Sequence, residues 1–111
     1  MLMDRFGIDD RLLQDIVAVL SGNERVERAA VYGSRARGDY RTSSDIDICL
    51  YGDKLTVRDL NLLQDAFEQL RTALRFDVVH YQRVSNPSLK QAIDREGVQI
   101  YVNHSALRKI P

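Results

Sequence analysis

The sequence is short of cysteine, of net charge and of long apolar runs, and each shortage removes a class of protein. Cys49 is the single cysteine, so an internal disulfide framework is excluded and a reducing, cytoplasmic setting is expected. Sixteen Lys and Arg balance sixteen Asp and Glu, so no global field favours nucleic acid or a membrane surface. No run approaches the ~18 apolar residues of a membrane span, and the start of the chain lacks a signal-peptide pattern. Internal repeats, low-complexity tracts and linkers are missing as well. The remaining make-up, 44% hydrophobic and 29% charged over 111 residues, is that of one globular domain spanning 1–111, with its core at about 8–102. Such a chain buries about 65% of the surface that it exposes when unfolded.

What is present concentrates between Gly33 and Ile48. Asp45-Ile46-Asp47-Ile48-Cys49-Leu50-Tyr51 alternates as a strand does, with Ile46, Ile48 and Leu50 on one face and Asp45, Asp47 and Cys49 on the other. Carboxylates two residues apart on a strand lie roughly 6.6 Å apart and face one centre. Taken alone, the pair also fits a solvated edge-strand face. Because two bare carboxylates repel, a cation between them is the natural partner. Oxygen donors with no His or second Cys nearby suit Mg²⁺ or Mn²⁺ rather than zinc. Upstream, Gly33 lets backbone approach closely, Ser34 offers a hydroxyl, and Arg35 and Arg37 carry charge for phosphate oxygens. Arg35, Arg37 and Arg41 stand against Asp39 alone, which makes residues 35–41 an anion-facing segment in a neutral chain.

The elements around this stretch follow from periodicity and caps. Asp9 and Asp10 open a helix over about 10–21, with Gly22 as its terminator. A strand is expected at about 27–32, the carboxylate strand at 45–51, and a long helix over about 57–74 with Thr56 as N-cap and Asp59 in its first turn. Leu60, Leu63, Phe67, Leu70 and Leu74 form the inner stripe of that helix, widened by Leu62, Ala66 and Ala73. A third strand is expected over 75–81, a helix from Pro87 to Gly97, a strand over 98–102 with Val98, Ile100 and Val102 on one face, and a frayed tail over 103–111. Helices alternating with strands indicate an α+β domain, a mixed sheet with helices packed against it. Cys49 fits a packed small hydrophobe better than a nucleophile. Gly33 and Gly38 have P-loop spacing, but Asp39-Tyr40 stands where Lys-Ser/Thr is required. Arg37-Gly38-Asp39 spells an adhesion tripeptide, a chance match in a chain of this kind.

Gly33-Ser34, ten intervening residues, Asp45-x-Asp47, and Asp77 on a later strand together resemble the nucleotidyltransferase pattern. DNA polymerase β, kanamycin nucleotidyltransferase and the minimal nucleotidyltransferases share it, and the resemblance covers roughly residues 8–102. It implies a palm-like fold with a short helix after Gly33-Ser34. It also implies two Mg²⁺ ions (or Mn²⁺) held by Asp45, Asp47 and Asp77, and triphosphate contacts from Gly33, Ser34, Arg35 and Arg37. In that chemistry a hydroxyl attacks the α-phosphate of ATP in line and pyrophosphate leaves. The small size is similar to antitoxins that add AMP to a tyrosine of a helical HEPN-type ribonuclease toxin, which implies a hetero-oligomer. Arg75 and His80 have HEPN-like spacing here but fall across a helix end and a strand, so this chain is not itself the ribonuclease. Two alternatives stay open: an inactive subunit that neutralises its partner by contact, and a stand-alone transferase acting on a small molecule or RNA, although no basic surface supports RNA. Candidate docking surfaces are an open sheet face edged by Tyr51 and Tyr81, and the broad stripe of the long helix.

Overall fold

The computed structural model describes residues 5–105. Asp9 starts the first helix by accepting a hydrogen bond from Leu12 N at 2.7 Å. Helix α1 then runs Asp10–Ser21 and buries Ile16 and Leu20 completely. Gly22 ends it in a right-handed conformation, φ −77°, so any residue fits that backbone there.

Strands β1 (Arg28–Tyr32), β2 (Ile46–Tyr51), β3 (Phe76–His80) and β4 (Val98–Val102) form one sheet in the order β3-β2-β1-β4. β1 lies antiparallel to β2 and β4, while β3 runs parallel to β2. The four-residue helix α2 (Ser34–Arg37) follows β1, α3 (Val57–Glu68) follows β2, and α4 (Pro87–Glu96) precedes β4. The fold class is α+β, with a mixed sheet. Alternation along β2 divides the protein. Ile46, Ile48 and Leu50 join Ile16, Leu20, Leu63 and Phe67 in the larger core, under α1 and α3. Cys49 and Tyr51 face the other way and pack with Ala30, Tyr32 and Ile93 of α4.

Helix α3 opens on a capping box: Asp59 N donates to Thr56 Oγ1 at 3.1 Å and Thr56 N to Asp59 Oδ2 at 2.8 Å. Asp59 is only 1% exposed, and it keeps its charge because Arg25 grips both oxygens, at 2.6 and 2.8 Å. That hydrogen-bonded guanidinium holds the Asp59 carboxyl well below the usual carboxylate range.

The fold departs from the sequence expectation at the end of the long helix, along β4 and around Tyr51, each for a tertiary reason. The long helix stops at Glu68 rather than near 74. Phe76 of β3 stacks on Phe67 with ring centroids 5.0 Å apart; a helix continued to 74 would carry the chain about 10 Å past Phe67 at ~1.5 Å per residue. Leu70 and Leu74 still reach the core, from the turn instead of a helix. On β4 the register shifts between Ala29 and Ala30 of its partner, and Ile100 and Tyr101 both pack on the larger core, which strict alternation forbids. Finally, Tyr51 is buried and stacked on Tyr81 at 4.7 Å, with the Arg28 guanidinium 3.6 Å from its ring centre. These tyrosines fill the smaller cluster beneath α4 and do not edge an open face. On α3, Leu62 is 53% exposed while Ala66 is partly covered. Residues 106–111 of the expected tail lie outside the described residues.

Candidate active site

Register places the chemistry. Directly opposed residues share a sheet face, and Asp47 is opposed by Asp77 on β3 and by Tyr32 on β1. Across the sheet the rows on this face read Asp77-Asp47-Tyr32, then Val79-Cys49-Ala30-Gln99. Helix α4 seals the apolar row with Ile93, and the acidic row stands at the end of the strands where β2 begins. Adjacent strands are about 4.8 Å apart, so Asp47 and Asp77 are near neighbours. Asp77 is exposed and Asp47 half-buried. Asp45 lies one residue before β2, exposed, in a groove of about 530 Å³ lined by Thr42, Ser43, Ala73, Leu74 and Arg75.

Burial, followed by the charges of Asp77 and Asp45, pushes the Asp47 carboxyl up to about 6. Burial and the same acidic row raise the Tyr32 hydroxyl well above its ordinary value. Burial also pushes the Cys49 thiol up to about 12, which leaves it protonated and non-nucleophilic at neutral pH.

The turn after β1 closes over this row. Gly33 has φ 77° and ψ −156°, a conformation open to glycine, and a Cβ there would collide with Asp47 Oδ2. Backbone and carboxylate therefore meet in a way no side chain permits. Ser34 is the first residue of α2, half-buried beside that turn.

The two arginines of α2 have different fates. Arg35 is 2% exposed, and all five of its donors go to backbone carbonyls: Nε to Ser44 at 2.9 Å, Nη1 to Phe6 and Gly7, and Nη2 to Arg41 and Thr42. Its ring-like clasp ties residues 6–7 to the loop at 41–44, so the expected phosphate contact from Arg35 is corrected to a scaffolding one. Arg37 stays half-exposed and donates to Asp39 at 3.2 Å and to Glu96 at 3.1 Å. Its charge also reaches Asp47, whose pKa it lowers.

Two residues of this neighbourhood went unnoticed in the sequence. Tyr32 could have been found by its position, as the last strand residue before Gly33 on the carboxylate face. Glu96, the last residue of α4, accepts a hydrogen bond from Gly33 N at 3.2 Å as well as from Arg37, and nothing local in the sequence joins it to a turn 63 residues away.

Among the described residues no three His, Cys, Asp or Glu side chains close around one ion-sized point. Asp45, Asp47 and Asp77 are neighbours without forming a finished cage. The donors nevertheless suit Mg²⁺, which is held by one or two carboxylates and completes its shell with water and substrate phosphates. Burial comes first in raising Asp47, and the repulsion from Asp77 and Asp45 that adds to it is what a divalent cation would relieve.

Comparison with known proteins agrees with this geometry. The family model "Polymerase beta, Nucleotidyltransferase" matches residues 14–106. "Putative protein adenylyltransferase MJ0435" of Methanocaldococcus jannaschii is 34% identical over 76 residues, 68% of this chain and 80% of that protein. A solved structure described as a "putative minimal nucleotidyltransferase" is 32% identical and superposes with a TM-score of 0.63 over 80% of this chain and 92% of its own. The same fold occurs, at 18% identity and a TM-score of 0.63, in a complex of a tri-AMPylated Shewanella oneidensis HEPN toxin with its MNT antitoxin; 88% of this chain and 76% of that one are covered. The matched range spans both the acidic row and the glycine turn, and the chain belongs to the polymerase β nucleotidyltransferase family.

Proposed function

We propose that this nucleotidyltransferase moves AMP from ATP to a hydroxyl of a protein partner, a tyrosine of a helical HEPN-type protein. The observation that carries the reading is the pairing of Asp47 with Asp77 across parallel β2 and β3, with Gly33 folded against Asp47. The adenylyltransferase name of the M. jannaschii relative and the AMPylated toxin bound to its antitoxin support the choice of AMP and of a HEPN-type acceptor.

Asp45, Asp47 and Asp77 are the residues that would hold Mg²⁺, with Mn²⁺ as a substitute. When bound, the metal neutralises charge on the reacting phosphate and favours the ionised acceptor. Gly33 N–H, the Ser34 hydroxyl and the Arg37 guanidinium bind and orient the phosphate oxygens. Asp77, exposed at the open side of the acidic row, takes the proton from the incoming tyrosine hydroxyl. The phenolic oxygen forms a bond to the α-phosphorus, the bond to the β-phosphate breaks, and pyrophosphate leaves. Without help, ionising a tyrosine near pKa 10 at pH 7 costs about 4 kcal/mol, which is why an acceptor-side carboxylate and a cation belong in one site.

The test is to combine the chain with a helical HEPN-type protein, ATP and Mg²⁺, and to read the intact mass of that partner. One or more added adenylates on a tyrosine are expected, and none with Asp45→Asn/Asp47→Asn. A partner silenced without any adduct would replace this reading with neutralisation by contact. AMP placed on a small molecule while the partner is ignored would replace it with a stand-alone transferase.

A further inference from the structure

Glu96 stands where a helix disfavours it. An acidic side chain in the last turn of α4 meets the negative end of the helix dipole, and Gly97 directly behind it leaves the helical region at ψ 130°, its N–H donating to Ile93 O. Helix α3 also ends in an acid, the exposed Glu68, so position alone does not set Glu96 apart. Its partners do: Oε1 accepts from Gly33 N at 3.2 Å and from Arg37 Nη1 at 3.1 Å. Its Oε2 lies 4.0 Å from Arg95 Nη2, and the Glu96 side chain is only 14% exposed. A backbone N–H in a glycine turn and a guanidinium converging on one oxygen are the donors that a phosphate oxygen uses.

We infer that Glu96 is an internal anion held on the phosphate-binding donors, and that nucleotide binds by displacing it. This rests on the proposed role of Gly33 and Arg37 in holding phosphate. Three further carboxylates, Asp45, Asp47 and Asp77, lie close by, so a bare anion arriving at the turn meets repulsion as well as an occupied set of donors. A triphosphate brings several oxygens and, with Mg²⁺, a compensating charge, and so displaces Glu96 where single small anions do not. Release of Glu96 also frees the end of α4 from the turn after β1, a connection that nucleotide would break on arrival.

The test is Mg²⁺–ATP binding by calorimetry on the full chain, together with the Gly33 backbone amide resonance by NMR. Glu96→Gln keeps an acceptor of the same shape and removes the charge. It is expected to bind Mg²⁺–ATP about three- to tenfold more tightly, tenfold being worth about 1.4 kcal/mol. Glu96→Ala removes the acceptor too, and is expected to tighten binding at least as much; its free Gly33 amide should move upfield on losing the bond to Glu96, and Mg²⁺–ATP should return it downfield. Thermal unfolding of both variants checks that the fold is retained, and the alanine result decides the matter if the glutamine variant does not fold. Weaker binding by the variants would make Glu96 a support of the nucleotide site and overturn the inference. Equal binding by wild type and variants would also overturn it, while leaving the transferase reading intact. Binding by neither wild type nor variant would sink both.

Discussion

Replacing Asp47 with Asn in the metal-free protein should stabilise it at neutral pH and do little in mild acid. Asp47 sits half-buried in a row with Asp77 and beside Asp45, and burial followed by those two charges raises its carboxyl from 3.8 to about 6. A folded-state value above the unfolded one means that the folded protein holds the extra proton between those pH values. The resulting stability is complete below about pH 4 and is lost as pH rises through 6. A shift of about two units corresponds to about 3 kcal/mol at ~1.4 kcal/mol per unit, and screening at a half-buried site reduces this to about 1–2 kcal/mol. For a domain of this size, 1 kcal/mol moves the thermal midpoint by about 4–8 °C. The assay is thermal unfolding in chelator at pH 5 and pH 7.5. Asp47→Asn should gain several degrees over wild type at pH 7.5, and the gain should shrink sharply at pH 5. An equal gap at both pH values, or a loss at pH 7.5, would show that Asp47 is not crowded by its neighbours and would remove the electrostatic case for a cation there.

Two further outcomes separate roles that the sequence leaves entangled. Asp77→Asn should retain Mg²⁺–ATP binding in calorimetry while lowering the rate of AMP transfer by about 10²-fold or more; loss of binding in step with rate would assign Asp77 to nucleotide affinity instead of the acceptor. Arg35→Gln should lower the urea midpoint by the equivalent of about 3 kcal/mol or more, because a buried clasp of five carbonyls loses most of its donors; an unchanged midpoint with weakened triphosphate binding would restore Arg35 to the phosphates.

What the sequence disclosed was whatever depends on local chain geometry. Thr56 and Asp59 are three residues apart, so their capping box follows from helix geometry alone. The two faces of β2 follow from its alternation, and Asn86 before Pro87 marks the start of α4 with the side chain accepting from Ser88 N and Leu89 N. The position of Asp77 on a strand was readable too, yet its pairing with Asp47 depends on β2 and β3 meeting in parallel, a choice made by packing. Hidden properties are the ones decided by distant chain. Arg35 and Arg37 look equivalent in a four-residue helix; the carbonyls of residues 6–7 and 41–44 gather around one and leave the other facing the acids. The end of α3 was hidden for the same reason, since only the stacking of Phe76 on Phe67 requires the chain to turn back at Glu68.

Glu96 lies between these two classes. No spacing rule links it to Gly33, but an acid in the last helical turn, followed at once by Gly97, conflicts with the helix dipole and can be seen without any structure. Such a conflict does not say where the compensation lies. Nor does it guarantee compensation, since α3 ends in the exposed Glu68; for Glu96 the compensating donors are the turn and the guanidinium beside the acidic row. The same logic applies to Gly33, whose backbone would be strained for any other residue and whose missing side chain makes room for Asp47. Residues that break a local preference here converge on one end of the sheet. Mutual repulsion among Asp45, Asp47 and Asp77 is what a cation arriving with a polyphosphate would relieve, and on the proposed function the Gly33 turn and the donors that hold Glu96 are where its phosphates would dock.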